Sequence, residues 1–116
     1  MQNCFFDRVK NLPSLGIGVS TEFGALSAAE HLDVLALRSA YPQFAQFLEV
    51  GVETTKGIDR DTSDWVKANQ PTTYHFLDAN LSRADGFDER WLTTVEGYIA
   101  ELKPAWVCGD AGLWHF

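Results

Sequence analysis

The sequence predicts an α/β protein built on a parallel sheet. Three observations carry that expectation. Short β-branched or aromatic runs alternate with stretches of helical periodicity, the segments between successive strands are long enough for right-handed crossovers, and prolines close several of the elements. The 116 residues are 46% hydrophobic and 22% charged, the mixture of an ordinary globular chain, and residues 1–116 read as one domain.

The elements follow in order. "LGIGVS", residues 15–20, is a short, partly β-branched first strand whose two glycines permit close backbone approach. "SAAE", residues 27–30, matches a capping box, in which Ser27 accepts from a backbone amide and Glu30 reaches back to the cap. A helix is expected from about Ala28 to Ala40, carrying Leu32, Val34, Leu35 and Leu37 before Pro42 stops it. "FLEVGVE", residues 47–53, is the second strand, and "DTSDWVKANQP" a short capped helix ending before Pro71. "TTYHFLD", residues 72–78, is the third strand. Asp88 caps a helix whose apolar face recurs at Trp91, Leu92, Val95, Tyr98, Ile99 and Leu102 until Pro104, and "WVCGD", residues 106–110, makes the fourth strand.

Two architectures satisfy this order: a small doubly wound sheet, and part of a (β/α)8 TIM barrel. A full barrel takes roughly 250 residues, so four strands in this length correspond to about half of one, its N-terminal half. Open sheet edges would then invite a second chain, so a homodimer completing the barrel is one expectation.

Charge narrows the function. A net charge of −7 with nine Lys and Arg scattered along the chain excludes a nucleic-acid footprint and a polybasic membrane surface. "MQNCFFDRVKNLP" lacks the features of a signal peptide, and no run approaches the ~18 apolar residues of a membrane span, so a soluble, cytoplasmic protein is expected. Cys4 and Cys108 are expected to be reduced and mainly to fill space. "GIG" lacks the rest of a dinucleotide fingerprint.

Side chains alternate along a strand, so Phe47, Glu49, Gly51 and Glu53 share one face while Leu48, Val50 and Val52 share the other. The aliphatic face suits helices. The other face then carries two carboxylates toward the strand's C-terminal end, where barrel enzymes keep their active sites. His75 and Asp78 lie on the third strand and Asp110 on the fourth, again at or near C-terminal ends. Carboxylates and imidazole converging from neighbouring strands suit a divalent metal, and Glu49, Glu53, His75 and Asp110 are the candidate ligands, with Asp78 as an addition. Strand parity forbids His75 and Asp78 from both facing the same way. Each residue also has an ordinary structural role open to it: a paired interior carboxylate for Glu49, solvated strand ends for Glu53 and Asp78, a hydrogen-bonded core histidine for His75, and a turn cap for Asp110.

The landmarks "LGIGVS", "FLEVGVE", "TYHFLDANLS", "GFDERWL" and "KPAWVCGD" resemble, in order and spacing over residues 15–114, the N-terminal half of a bacterial family of multinuclear iron enzymes that includes MbnB of methanobactin biosynthesis and TglH of thiaglutamate biosynthesis. The resemblance implies a TIM barrel of the xylose-isomerase-like kind. It implies two or three irons held by His, Asp, Glu and Asn at the C-terminal mouth, oxygen-dependent rearrangement of cysteines in peptide substrates, and a partner protein that delivers the peptide. On that basis Glu49 resembles the family's strand-two Glu, Glu53 the polar position after it, His75 the strand-three histidine, and Asp110 the acidic position of strand four. Asn80 falls in a similar "NLS" run and is a further candidate ligand. Gly51 and Ala111 stand where many members carry histidines, which favours magnesium or manganese as alternatives to iron. The same departures leave a second reading open, a ligand-depleted, non-catalytic module that binds a peptide or small molecule.

Overall fold

The computed structural model describes residues 4–22, 32–79 and 88–110. Strands β1 (Gly18–Ser20), β2 (Phe47–Val52), β3 (Thr72–Phe76) and β4 (Trp106–Gly109) form one sheet in the order β1-β2-β3-β4. Every pair is parallel. Helices α2 (Val34–Ala40), α3 (Arg60–Ala68) and α4 (Glu89–Leu102) occupy the crossovers, and α1 (Phe5–Lys10) precedes β1. The expected α/β class with a parallel sheet of βαβ units is therefore the observed one.

Local chemistry sets the boundaries. Asp33, Asp59 and Asp88 each cap a helix, accepting from the amides of Ala36, Thr62, and both Arg90 and Trp91 respectively. Asp88 was the expected cap of α4. The helix expected from Ala28 instead has its described part at Val34–Ala40, with Asp33 as cap and Leu32 exposed outside it. Ser27, Glu30 and His31 lie outside the described residues, as do Asn80, Ala111 and His115. Strands β2, β3 and β4 end one or two residues earlier than expected, leaving Glu53, Asp78 and Asp110 just beyond the ladders, whereas β1 begins at Gly18 instead of Leu15. Helix α1 has no counterpart in the sequence reading. It buries none of its residues, so no core-facing stripe marks it.

One face of the sheet holds the core. Leu48, Val50 and Val52 of β2 and Tyr74 of β3 pack against Val34 of α2, Val66 of α3, and Val95 and Leu102 of α4. The apolar stripe of α4 is only partly used: Val95 and Leu102 are buried, whereas Leu92 and Ile99 stay exposed along its flank. Tyr74 has no exposed surface, and its hydroxyl finds no hydrogen-bond partner among the described residues. Burial pushes its phenol far above the ordinary range, and the charge of Asp78 adds to the effect. Its ring meets Phe76 and Tyr98 edge to face at 6.3 and 6.0 Å.

The opposite face is polar. Register sets Glu49 beside Thr73 and Thr73 beside Trp106, and in the next rung Gly51 beside His75 and His75 beside Cys108. Residues paired across a parallel ladder point the same way, so these side chains share one side of the sheet.

A buried hydroxyl without a partner costs free energy that an isosteric ring would not. Tyr74→Phe should raise unfolding stability by about 1 kcal/mol in urea titration; a loss of similar size would mean that the hydroxyl has a partner after all.

Candidate metal centre

The polar face comes to a point at His75. The strand-two alternation puts Glu49 on this face one rung before Gly51, the position opposite His75. Glu22 arrives from elsewhere: Thr21 and Glu22 form a tight turn just past β1, and Thr21 Oγ1 accepts from the Gly51 amide at 3.0 Å, tying the turn to the neighbouring strand. The Glu22 Oε1 atom stands 2.8 Å from His75 Nδ1, and Glu49 Oε1 stands 3.8 Å from the same nitrogen. Donor atoms of Glu22, Glu49 and His75 all lie within 4.8 Å of one another. Ligands of one small divalent ion stand roughly 3 to 3.5 Å apart, given metal–ligand distances near 2.1 Å, so this trio is close to the size of a coordination shell.

Gly51 is what admits Glu22. A Cβ at position 51 would fall 2.5 Å from Glu22 Cγ and 2.6 Å from its Oε1. The glycine that leaves strand two without an imidazole thus makes room for a carboxylate from the turn after β1.

Asp110 lies on the other side of the ring. Its Oδ1 is 3.5 Å from His75 Nε2. At that distance no hydrogen bond forms, but the carboxylate stands on the side of the ring from which an orienting group would act on a ligating imidazole. The Nδ1 atom is shut off from solvent and makes no well-directed hydrogen bond, although Glu22 lies within reach. Thr73 Oγ1, on the same face beside Glu49, is likewise buried without a partner among the described residues. No Lys or Arg among the described residues comes within ion-pair distance of Glu22, Glu49 or Asp110; the ion pairs made by Lys56, Arg60 and Lys67 go to Glu53, Asp64 and Glu101. Uncompensated carboxylates around a solvent-shielded imidazole nitrogen are a donor set that fits a divalent cation.

The other candidates are sited differently. Glu53, expected on the same face as Glu49, lies past the end of β2, and its Oε1 meets Lys56 Nζ at 2.6 Å. Asp78 also lies past its strand, and its carboxylate is fully engaged away from His75. It accepts from the Thr54 amide and hydroxyl at 2.7 and 2.6 Å and from Trp91 Nε1 at 2.8 Å, as the parity argument requires. Sequence reasoning missed Glu22, because a residue in a turn two positions beyond a three-residue strand has no alternation to place it. Its only signal was its position at the C-terminal end of β1.

Cys108 completes this side of β4. Its Sγ is 3.9 Å from Glu49 Oε2 and 3.8 Å from the Tyr74 carbonyl. Burial pushes its thiol up, and the charges of Glu49, Glu22 and Asp110 push it further. Beneath the rim, a cleft of about 370 Å³ is lined by Pro13–Gly16, Phe47, Thr73 and Trp106. A larger one of about 450 Å³ opens between α2 and α3, but its carboxylates, Asp33 and Asp59, are occupied as helix caps.

Two outcomes follow from this geometry. Gly51→Ala should leave the fold intact while moving Glu22 away from the ring, so the His75 imidazole NMR signals should shift as they do in Glu22→Ala; signals unchanged from wild type would disprove the close approach. In chelator-treated protein, the raised thiol pKa should make Cys108 react with iodoacetamide at pH 8 more slowly than Cys4, although both are exposed, since only the thiolate attacks. Equal rates, resolved by peptide mass spectrometry, would contradict the electrostatic environment described. Comparison with protein-family models, curated proteins and solved structures finds no match to this chain, and no described helix is long and apolar enough to cross a membrane.

Proposed function

We propose that the chain is a metal-dependent enzyme domain with its centre at Glu22, Glu49 and His75, on the C-terminal rim of a partial TIM barrel. The carrying observation is the convergence of two carboxylates on the shielded Nδ1 of His75, with no Lys or Arg among the described residues within ion-pair distance of them. The sequential strand order, with α2, α3 and α4 all contributing to the core on one face, supports the barrel reading. The resemblance to multinuclear iron enzymes makes non-haem iron the first candidate ion and a peptide the first candidate substrate. A bound ion of this kind supplies Lewis acidity and, if it is iron, redox chemistry toward oxygen.

The chain's own residues have separable roles. Glu22 and Glu49 provide anionic oxygen donors, and His75 provides the nitrogen. With an ion held at Nδ1, Asp110 would hold the ring from its Nε2 side, 3.5 Å away. Phe47 and Trp106 line the cleft below, an apolar surface on which a substrate side chain could rest.

A non-catalytic binding module is the second reading, and Gly51 was its motive in the sequence. The close approach of Glu22 at that glycine offsets the missing donor, which favours the metal reading. Strands β1 and β4 are the sheet's edges, so a second copy or further β/α units could complete the barrel around this rim.

Elemental analysis and titration calorimetry with iron(II), manganese(II) and zinc test the proposal. One or more tightly bound ions are expected, with binding abolished in Glu49→Ala and His75→Ala. Asp110→Asn should weaken binding by about 10- to 100-fold, the usual effect of losing an orienting carboxylate. Glu53→Gln should change nothing, because Glu53 is turned to Lys56. Folded protein that takes up none of these ions would remove the metal reading and leave the binding module.

A further inference from the structure

We propose that two copies of this chain associate by exchanging their first helices, the apolar stripe of α1 in each copy lying along the open flank of α4 in the other. The proposal is independent of any metal at the rim, because it uses the outer surface of the helices and not the polar face of the sheet.

Helix α1 is the first half of the interface. At about 100° per residue, Phe5, Phe6 and Val9 fall on one side of the helix, continued by Leu12 just past its end, while Asp7 falls on the opposite side. Arg8 and Lys10 border the apolar stripe, one on each margin. A helix this short is not stable by itself in water and ordinarily holds its shape by burying such a stripe. Within one copy it buries nothing: Phe5 is 63% and Phe6 68% exposed, and Val9 and Leu12 are exposed as well.

The flank of α4 is the second half. Val95 and Leu102 point into the core, and Glu101, to one side of them, meets Ser63 and Lys67 of α3. Leu92 and Ile99 lie on the other side, both exposed, and no helix follows α4 among the described residues to cover them. Val107 extends this surface. It is registered against Tyr74, so it points to the helix side of the edge strand β4, and it too is exposed. Glu89 and Glu96 border the Leu92–Ile99 stripe on its outer margin.

Charge and connection select a second copy as the occupant. Arg8, Lys10, Glu89 and Glu96 make no ion pair with any described residue, so cations border one uncovered apolar stripe and anions border the other. The chain thus carries both sides of a complementary pair. Trp106 Nε1 donates to the Pro13 carbonyl at 3.1 Å, which ties the exit of α1 to the first residue of β4. That exit and the α4 flank therefore share one edge of the sheet, and a two-fold axis at that edge lets both helices dock at once, forming a closed pair.

Sedimentation equilibrium of the full chain tests the exchange. A mass twice the 13.0 kDa of one chain is expected, falling to that of one chain in Phe6→Asp and in Val9→Asp. Both variants should stay folded, with the Tyr74 ring signals unshifted, because α1 buries nothing within a copy. Arg8→Glu with Lys10→Glu should weaken association by about 10-fold, and adding Glu89→Lys with Glu96→Lys should restore it. With both native cysteines replaced by serine, Arg8→Cys protein mixed with Glu96→Cys protein should form a mixed disulfide. A monomer at every concentration, or a dimer indifferent to Phe6→Asp and Val9→Asp, would overturn the exchange. So would a disulfide that closes within one chain carrying both cysteine substitutions, which would place α1 on its own α4, or a monomer that α1 carries onto lipid vesicles.

Discussion

The crowding of three carboxylates, Glu22, Glu49 and Asp110, whose like charges repel, around one imidazole is the constraint on which the rim depends. Three carboxylates surround one imidazole, and His75 is their common neighbour. Each keeps some contact with water, which softens the repulsion without abolishing it. A single imidazole cannot balance three carboxylates, whereas a divalent cation between Glu22 and Glu49 would balance those two.

The significance of that trio comes from what happens to the other acidic groups nearby. Helices in βα units begin where strands end, so their caps also gather at this rim. Asp33, Asp59 and Asp88 are taken up by backbone amides, Asp78 by Thr54 and Trp91, and Glu53 by Lys56. An acidic balance alone would say only that the surface is solvated. The sorting of these groups, most of them hydrogen-bonded to ordinary neighbours and three left facing one histidine, separates scaffold from site.

How much of this could be read from the chain depended on regularity. The alternation of "FLEVGVE" placed Glu49 on the polar face because β2 remains a true strand through that residue. The Asp88 cap and the helical spacing from Trp91 to Leu102 located α4, since a 14-residue helix repeats its pattern enough to be unambiguous. Asp78 stays on the side opposite His75 that parity gave it, whereas Glu53 escaped because it lies one residue past the last ladder pair, where turn geometry and not alternation aims the side chain. Glu22 escaped for the same reason, and only the three-dimensional closeness of β1 to β2 brings it to His75. Gly51 looked like a lost ligand in one dimension; in three it is the clearance that a neighbouring carboxylate needs.

The clasp at Asp78 has a mechanical meaning. One carboxylate holds the turn after β2, through Thr54, and the first turn of α4, through Trp91, while itself belonging to the segment after β3. Two successive crossovers are thus riveted at a single point on the helix side of the rim. Any breathing that admits a visitor to the polar side must carry both segments together, so the rim should behave as a stiff collar rather than as a set of independent flaps.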